Sequence, residues 1–221
     1  MNKLLKLVDV NLNYKTDNNL IKVLQDINLE VQLKETLSIV GESGSGKTSL
    51  IMLIGGLEKA TSGNIFFEND DISKMEEDDI SNIRRKNIGI VFQSFYLIPN
   101  YTALENVSLT LEINKINKSQ VIAKEILDRF GLGHRLNNLP SQLSGGEQQR
   151  VAIARSIAMK PKLILADEPT GNLDSENSNL ISKILFDYVK EENSTLIMVT
   201  HDHNLANQTN RKIKIKDGKI E

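Results

Sequence analysis

One glycine-rich segment, G-E-S-G-S-G-K-T at residues 41–48, constrains the fold of this chain more than any other feature. It follows the apolar run T-L-S-I-V and precedes the apolar run S-L-I-M-L-I-G-G-L, the order of strand, loop and helix that opens an α/β unit. Bare glycine backbone lets N–H groups converge on phosphate oxygens. Chance gives this spacing somewhere in such a chain with a probability of about 1%. The segment therefore predicts a phosphate site at the start of a helix.

The residue types in this loop suggest individual roles. Lys47 places a cation on the β- and γ-phosphates, and the Thr48 hydroxyl is suited to ligate Mg²⁺. The alternative is a glycine-rich turn that holds no ligand. The other residues expected to contact the ligand are Gly41, Glu42, Ser43, Gly44, Ser45, Gly46 and Ser49.

A second glycine-bearing segment, L-S-G-G-E-Q-Q-R at residues 143–150, opens an apolar helical pattern. Ser144 and Glu147 have the spacing of an ordinary capping box. However, Gly145 and Gly146 are poor helix formers, each disfavoured by roughly 1 kcal/mol against alanine. Free N–H groups at a helix N-terminus also bind anions. The segment is therefore either a plain helix cap or a second phosphate contact.

A pair of carboxylates ends the buried strand pattern L-I-L-A-D-E-P at residues 163–169. Asp167 is placed to hold Mg²⁺ through a water, and Glu168 to orient and deprotonate an attacking water. The alternative is two solvated acids at a strand end. Gln93 and His201 also follow apolar strands, and the carboxyl ends of parallel strands are where α/β sheets bind ligands.

The pattern of elements along the chain predicts an α/β fold. K-L-V-D-V and V-L-Q-D-I-N-L-E-V alternate like half-buried antiparallel strands. Apolar strands such as I-G-I-V-F, ending at Gln93, and T-L-I-M-V-T then alternate with helices, as in a parallel sheet. Residues 104–139 carry two helical patterns without a strand, which indicates an inserted helical subdomain. The tail I-K-I-K-D-G-K-I-E predicts a hairpin with Asp-Gly at its turn.

Composition excludes several classes of protein. The 221 residues are 39% hydrophobic and 25% charged, as in a folded soluble chain. The net charge of −2 lacks the basic footprint of a nucleic-acid-binding protein. The absence of cysteine excludes disulfides and thiol chemistry. No stretch approaches the roughly 18 apolar residues of a membrane helix, so any membrane role is expected to come through a partner.

Six ordered motifs together resemble those of the ATP-binding subunit of ABC transporters. They are the 41–48 loop, V-F-Q with Gln93, L-S-G-G-E at 143–147, L-I-L-A-D-E, G-N-L-D with Asp174 and T-H-D with His201. The resemblance implies an α/β P-loop NTPase core with a parallel sheet, an N-terminal antiparallel β subdomain and an inserted α-helical subdomain near 95–145. These parts would form one ABC ATPase domain over residues 1–221.

The resemblance also implies site residues beyond those argued above. ATP and Mg²⁺ are the expected cofactors, with Thr48, Gln93 and Asp167 around the metal and Tyr14 stacked on adenine. Glu168, His201, Gln93 and Lys47 would act in hydrolysis. Ser144, Gly145, Gly146 and Asp174 would contact ATP held by a second copy of the chain, in a head-to-tail dimer with two sites.

Finer motifs resemble the branch of this family that contains LolD, MacB and FtsE. They are F-Q-S-F-Y-L-I-P-N-Y-T-A-L-E-N-V and D-E-P-T-G-N-L-D. The MacB type fuses its ATPase to a membrane part, whereas this sequence stops after D-G-K-I-E. The expectation is therefore a LolD-type separate subunit for lipoprotein release, and MacB-like efflux is also kept open. An FtsE-like regulator of cell division that moves no cargo is the alternative. A soluble ABC ATPase of DNA repair or translation, or a P-loop nucleotide kinase, suits the sequence less well.

A membrane permease is the expected partner, and the expected location is the inner face of the cell membrane. We predict the contact surface between Gln93 and residues 104–139, with Phe95, Tyr96 and Leu97 as its exposed apolar residues. The alternative for these three side chains is ordinary packing within the subdomain.

Overall fold

The computed structural model describes residues 3–15 and 19–221, which form two compact units. The first unit consists of the described residues up to Arg84 together with Thr195–Glu221, and the second consists of Arg85–Ser194. Within the described ranges, no helix combines the length and apolar character needed to cross a bilayer. A single domain over 1–221, with a helical subdomain near 95–145, stays a prediction.

The first unit contains the predicted antiparallel sheet. Its strands, in spatial order β2-β1-β4-β5, are β1 (Lys3–Lys15), β2 (Leu20–Gln32), β4 (Ser62–Phe67) and β5 (Asp70–Asp71). The alternating apolar residues of β1 and β2 supply its buried side chains, and Leu7 lies opposite Leu29. The period of two in the sequence therefore predicted both the strands and their buried face.

Parallel strands form the other sheet of the first unit. Strand β3 (Thr36–Val40) pairs in parallel with β8 (Thr195–Val199) and with β9 (Arg211–Lys216). Strand β10 (Lys219–Ile220) returns antiparallel to β9. The turn between them has positive φ at Asp217 (48°) and Gly218 (76°), as a two-residue type I′ hairpin requires. The predicted closing hairpin is confirmed.

Among its described residues, three α-helices begin in the first unit: α1 (Lys47–Ile54), α2 (Glu77–Asn87) and α7 (His203–Ala206). Sequence analysis did not predict α2. Its segment, E-D-D-I-S-N-I-R-R-K-N, has only Ile80 fully buried and so lacks a clear apolar stripe. The acidic residues Glu77, Asp78 and Asp79 in its first turn, which favour a helix N-terminus, were the available signal.

The second unit places helices around a pair of parallel strands, β6 (Ile88–Val91) and β7 (Leu163–Asp167). The helices are α3 (Ala103–Ile113), α4 (Ser119–Arg129), α5 (Gly145–Ile157) and α6 (Ser175–Glu192). Helices α3 and α4 follow each other without an intervening strand, as predicted. Strand β6 ends at Val91, so the predicted strand I-G-I-V-F was one residue too long.

Candidate functional site

The 41–48 loop joins β3 to α1, as predicted. The backbone approaches its neighbours so closely that side chains are excluded at two glycines. A Cβ on Gly41 would lie 2.2 Å from the carbonyl oxygen of Ile215. Gly46, the N-cap of α1, has a left-handed φ of 103°, and a Cβ there would lie 2.8 Å from the carbonyl oxygen of Val23. The loop is therefore a tight curve that only glycine permits at these positions.

The Lys47 side chain extends from the first turn of α1 back to the start of this loop. Its Nζ donates to the carbonyl oxygens of Gly41 (2.9 Å) and Glu42 (2.7 Å), and the residue is buried. Beneath it, the Ser45 hydroxyl is buried without a hydrogen-bond partner among the described residues. A cation and an orphaned buried hydroxyl at a helix N-terminus suit a phosphate group.

The other predicted ligand contacts line the outside of the loop. Glu42, Ser43, Gly44 and Thr48 are exposed, and Ser49 is half-buried. The exposed Thr48 hydroxyl lies in the first turn of α1, where an oxygen ligand can reach a cation bound to the phosphates. The loop residues thus suit both a phosphate and its metal.

The C-terminal hairpin forms a hydrogen bond to the 41–48 loop, a contact that the sequence did not predict. The Gly218 N–H donates to the carbonyl of Ser45 (3.2 Å), and the Gly218 carbonyl accepts from the Gln25 N–H (2.8 Å). A Cβ on Gly218 would lie 2.5 Å from the Val23 carbonyl oxygen. No local pattern links residue 218 to residue 45, so only the folded structure reveals this contact.

His201 lies at the same sheet edge as the loop. Strands β3 and β8 are parallel, with Ile39 opposite Val199, so both chains leave the sheet at their carboxyl ends. His201 is exposed, and the adjacent Asp202 accepts from the N–H groups of Asn204 and Leu205 at the start of α7. A role for His201 at a bound ligand stays a prediction.

Tyr14, near the end of β1, is 42% exposed as a residue. Its hydroxyl donates to Glu58 (3.1 Å), and partial burial together with this carboxylate raises the pKa of Tyr14. The hydroxyl anchors one end of the ring and leaves the rest accessible. Adenine stacking on Tyr14 stays a prediction.

In the second unit, the two predicted carboxylates follow the fully buried strand β7. Asp167 is 8% exposed, and Glu168 has a left-handed φ of 47°. The Gly171 N–H donates to the Glu168 carbonyl (3.0 Å), which closes the turn after the strand. A non-glycine residue in this conformation is strained, and such strain clusters at functional sites.

Gln93 lies at the same edge of the second unit as these carboxylates, because Val91 of β6 pairs in parallel with Ala166 of β7. Its Nε2 donates to Oδ1 of Asn172 (3.0 Å), and Nδ2 of Asn172 donates to the Gln93 carbonyl (3.1 Å). Asn172 was not among the predicted site residues.

The chain turns sharply after Gln93 through two consecutive left-handed residues, Phe95 (φ 56°) and Tyr96 (φ 46°). Both carbonyls of this turn accept from Arg155 of α5, at 2.9 Å for Phe95 and 2.6 Å for Tyr96. Burial lowers the pKa of the Arg155 guanidinium. The arginine thus holds the strained turn. The residue Tyr96 is 63% exposed, and its ring packs edge-on against Phe92 with 5.1 Å between the ring centroids.

Ser144 forms the predicted capping box at the start of α5. Its Oγ accepts from the Glu147 N–H (3.2 Å), and its N–H donates to Glu147 Oε2 (2.8 Å). Arg135 Nε donates to Glu147 Oε1 (2.8 Å). Burial raises the pKa of the Glu147 carboxyl, but the Ser144 N–H and the Arg135 guanidinium outweigh it and hold the pKa below its ordinary value.

The glycines after Ser144 differ in their surroundings. A Cβ on Gly146 would lie 2.2 Å from Oδ1 of Asn177 on α6, whereas one on Gly145 would meet nothing nearer than 3.6 Å. Helix packing therefore explains Gly146 but not Gly145. Asp174 caps α6 by accepting from the Asn177 N–H (2.8 Å), and this hydrogen bond lowers the pKa of Asp174.

Each unit thus brings several predicted residues to one sheet edge. The first unit gathers the 41–48 loop and His201, and the second gathers Gln93, Asp167 and Glu168. Sequence analysis missed Asn172, Arg155 and Gln149 in the second unit. Gln149 is fully buried and donates to the Pro169 carbonyl (2.7 Å).

Comparisons with known proteins agree with this fold and site. The family described as ABC transporter matches residues 24–171. The lipoprotein-releasing system ATP-binding protein LolD of Rickettsia bellii is 43% identical, with 99% of this chain and 98% of that protein covered. The LolD protein of Geobacter metallireducens is 41% identical, with 100% and 99% covered.

Solved structures give the same result. The dimeric structure of the ATP-binding cassette MJ0796, in a post-hydrolysis state bound to ADP and Pi, superposes with a TM-score of 0.92 at 42% identity. The superposition covers 98% of this chain and 96% of that one.

The parallel strands and the 41–48 loop define a P-loop nucleotide-binding protein. The family match and the relatives aligned over nearly the whole chain narrow this class, and the chain belongs to the ABC transporter family. It is an ATP-binding subunit that binds and hydrolyses ATP. The predictions of an ABC ATPase fold and of ATPase activity are confirmed.

Proposed function

We propose that the 41–48 loop and Lys47 hold the β- and γ-phosphates of ATP, with Tyr14 against the adenine. Thr48, Gln93 and Asp167 provide oxygen ligands for Mg²⁺, the last through a water. When bound, Mg²⁺ neutralises negative charge on the phosphate oxygens. The buried Ser45 hydroxyl and the position of Lys47 support the phosphate assignment.

Glu168 takes the proton of the attacking water in this proposal, and His201 contacts the γ-phosphate. The strained backbone of Glu168, directly after Asp167, supports its assignment. Lys47 balances charge on the phosphoryl group as the bond to the leaving group breaks.

A second copy of the chain completes each site. Ser144, Gly145 and Gly146 approach the γ-phosphate bound by the partner copy, and Asp174 acts at the same interface. The first N–H groups of α5 lack intrahelical partners by geometry, so they can bind an anion. The dimeric assembly of the similar MJ0796 cassette supports this arrangement.

Disulfide cross-linking tests the dimer directly, because the sequence contains no cysteine of its own. Chains carrying Ser43→Cys and chains carrying Ser144→Cys are purified separately and mixed with ATP. We expect a species of doubled mass on oxidation, dependent on ATP. A mixture of Ser43→Cys and Ser119→Cys chains is the control. A variant that carries both Ser43→Cys and Ser144→Cys is oxidised in parallel. A cross-link that forms only within this one chain, and not between the mixed chains, would contradict the proposal.

The dimer drives a membrane permease that releases lipoproteins, with the chain on the cytoplasmic face of the membrane. The observation that carries this step is the similarity to LolD proteins along 99% of the chain. The test is reconstitution with the permease that copurifies in mild detergent, in liposomes that contain a lipidated protein. We expect release only with ATP. ATP-dependent binding to the permease without release would instead favour a regulatory role.

The permease contact includes Tyr96, the most exposed large apolar residue of the turn after Gln93. We expect Tyr96→Asp to weaken permease binding by about tenfold or more, since buried interface tyrosines often contribute about 2 kcal/mol. Basal ATPase of the isolated subunit should stay within about twofold, because Arg155 binds only the backbone at this turn.

Leu180→Asp is the matched control, because Leu180 is 42% exposed on α6. Pull-down and substrate-stimulated ATPase assays compare the two variants. Normal coupling in a folded Tyr96→Asp variant would remove Tyr96 from the contact, and loss of folding would favour a packing role.

A further inference from the structure

The Gln93 side chain is held by Asn172. Neither the G-N-L-D motif that contains Asn172 nor the proposed mechanism gives Asn172 a role. Asn172 donates through Nδ2 to the Gln93 carbonyl oxygen (3.1 Å) and accepts through Oδ1 from Gln93 Nε2 (3.0 Å). One side chain thus binds both the backbone and the side chain of Gln93. Two such hydrogen bonds restrict the Gln93 side-chain amide more than a single hydrogen bond would.

The pairing also fixes which end of the Gln93 amide points away. A backbone carbonyl can only accept, so the Nδ2 end of Asn172 must face it. The Oδ1 of Asn172 then faces the side-chain amide of Gln93, which must donate a hydrogen bond from its Nε2 group. Gln93 therefore presents Oε1, the only acceptor of its side chain, away from Asn172. This orientation follows from the chemistry of the carbonyl and not from assigned hydrogens.

The backbone around Asn172 is shaped for this contact. A Cβ on the preceding Gly171 would lie 2.9 Å from Gln93 Nε2, so glycine leaves room for the amide. The Gly171 N–H donates to the Glu168 carbonyl (3.0 Å), and the buried Gln149 holds the Pro169 carbonyl (2.7 Å). The segment that carries Asn172 is thus fixed by contacts independent of Gln93.

We propose that Asn172 is a positioning residue that presents Gln93 Oε1 to the divalent cation of the nucleotide. The inference rests on the proposed function, in which Gln93 is a metal ligand. A cation requires an oxygen, and a flipped amide would offer N–H donors instead. Partners that orient a ligand in this way typically affect metal affinity by about 10–100-fold.

The test measures metal binding rather than turnover. Mn²⁺ replaces Mg²⁺, and its affinity for the ATP-loaded protein is measured by electron paramagnetic resonance. Asn172→Leu removes both hydrogen bonds at an exposed position, and we expect about tenfold weaker Mn²⁺ binding. Metal-free ATP binding, measured in EDTA, should not change. Asn179→Leu, also exposed and on α6, is the matched control and should bind Mn²⁺ normally.

A double-mutant cycle with Gln93→Leu separates the inference from the function on which it rests. We expect Gln93→Leu to weaken Mn²⁺ binding and the double variant to be no weaker than Gln93→Leu alone. Weakening by Gln93→Leu without any effect of Asn172→Leu overturns the positioning role and leaves the proposed function intact. Additive losses also overturn it. Normal Mn²⁺ binding by Gln93→Leu overturns the metal role of Gln93 and the inference with it.

Discussion

Replacing Glu168 by glutamine should lower the rate of ATP hydrolysis by about 10²–10⁴-fold, the usual contribution of a positioned general base. The amide has nearly the shape of the carboxylate but cannot take a proton from water. The backbone bond from the Gly171 N–H to the Glu168 carbonyl does not involve the side chain, so the turn should persist. ATP should therefore still bind, and the uncharged amide of the Glu168→Gln variant should stabilise an ATP-bound dimer.

Steady-state phosphate release and equilibrium ATP binding measure the two effects separately. Glu176→Gln is a suitable control, because Glu176 is exposed in the first turn of α6 and has no role in the proposed mechanism. Turnover of Glu168→Gln within a fewfold of the unsubstituted protein would show that another group accepts the proton.

The largest stability effect is expected at Asn106, which is fully buried on α3. Its Oδ1 accepts from the Ile98 N–H (2.8 Å), and its Nδ2 donates to the carbonyls of Ile98, Tyr101 and Thr102 (3.2, 2.9 and 3.0 Å). Asn106→Leu preserves the shape but removes the partner of the Ile98 N–H and of the Tyr101 carbonyl, whereas the carbonyls of Ile98 and Thr102 keep backbone N–H donors. Each buried unpaired group costs about 1–3 kcal/mol, so we expect a loss of about 3 kcal/mol.

Thermal unfolding measures this loss, and a decrease in Tm of about 6–12 °C corresponds to it for a chain of this size. Asn117→Leu makes the same chemical change at an exposed position between α3 and α4 and should stay within about 0.5 kcal/mol. An unchanged Tm for Asn106→Leu would mean that the segment 98–102 does not depend on this side chain.

The local patterns predicted most of the fold because each had a short-range physical cause. The 41–48 spacing predicted a strand, a loop and a helix. The Asp-Gly pair predicted the final hairpin, and Asp217 and Gly218 have the positive φ angles that such a turn requires. Ser144 and Glu147 predicted their own capping box. Helix α2 was missed because one buried isoleucine gives no periodic signal.

The sequence alone determined which loop, cap and strand-end residues are the candidates for phosphate binding and catalysis, since loops, caps and apolar runs depend on neighbouring residues. Only the tertiary structure decided what supports them. Gly218 donates to the Ser45 carbonyl, Arg155 donates to the Phe95 carbonyl, and Asn172 forms a hydrogen bond with the Gln93 side chain. These contacts join residues far apart in the chain, for which no local rule exists. They arise because parallel strands bring distant loops to one sheet edge, where buried or constrained carbonyls require hydrogen-bond donors from elsewhere in the chain.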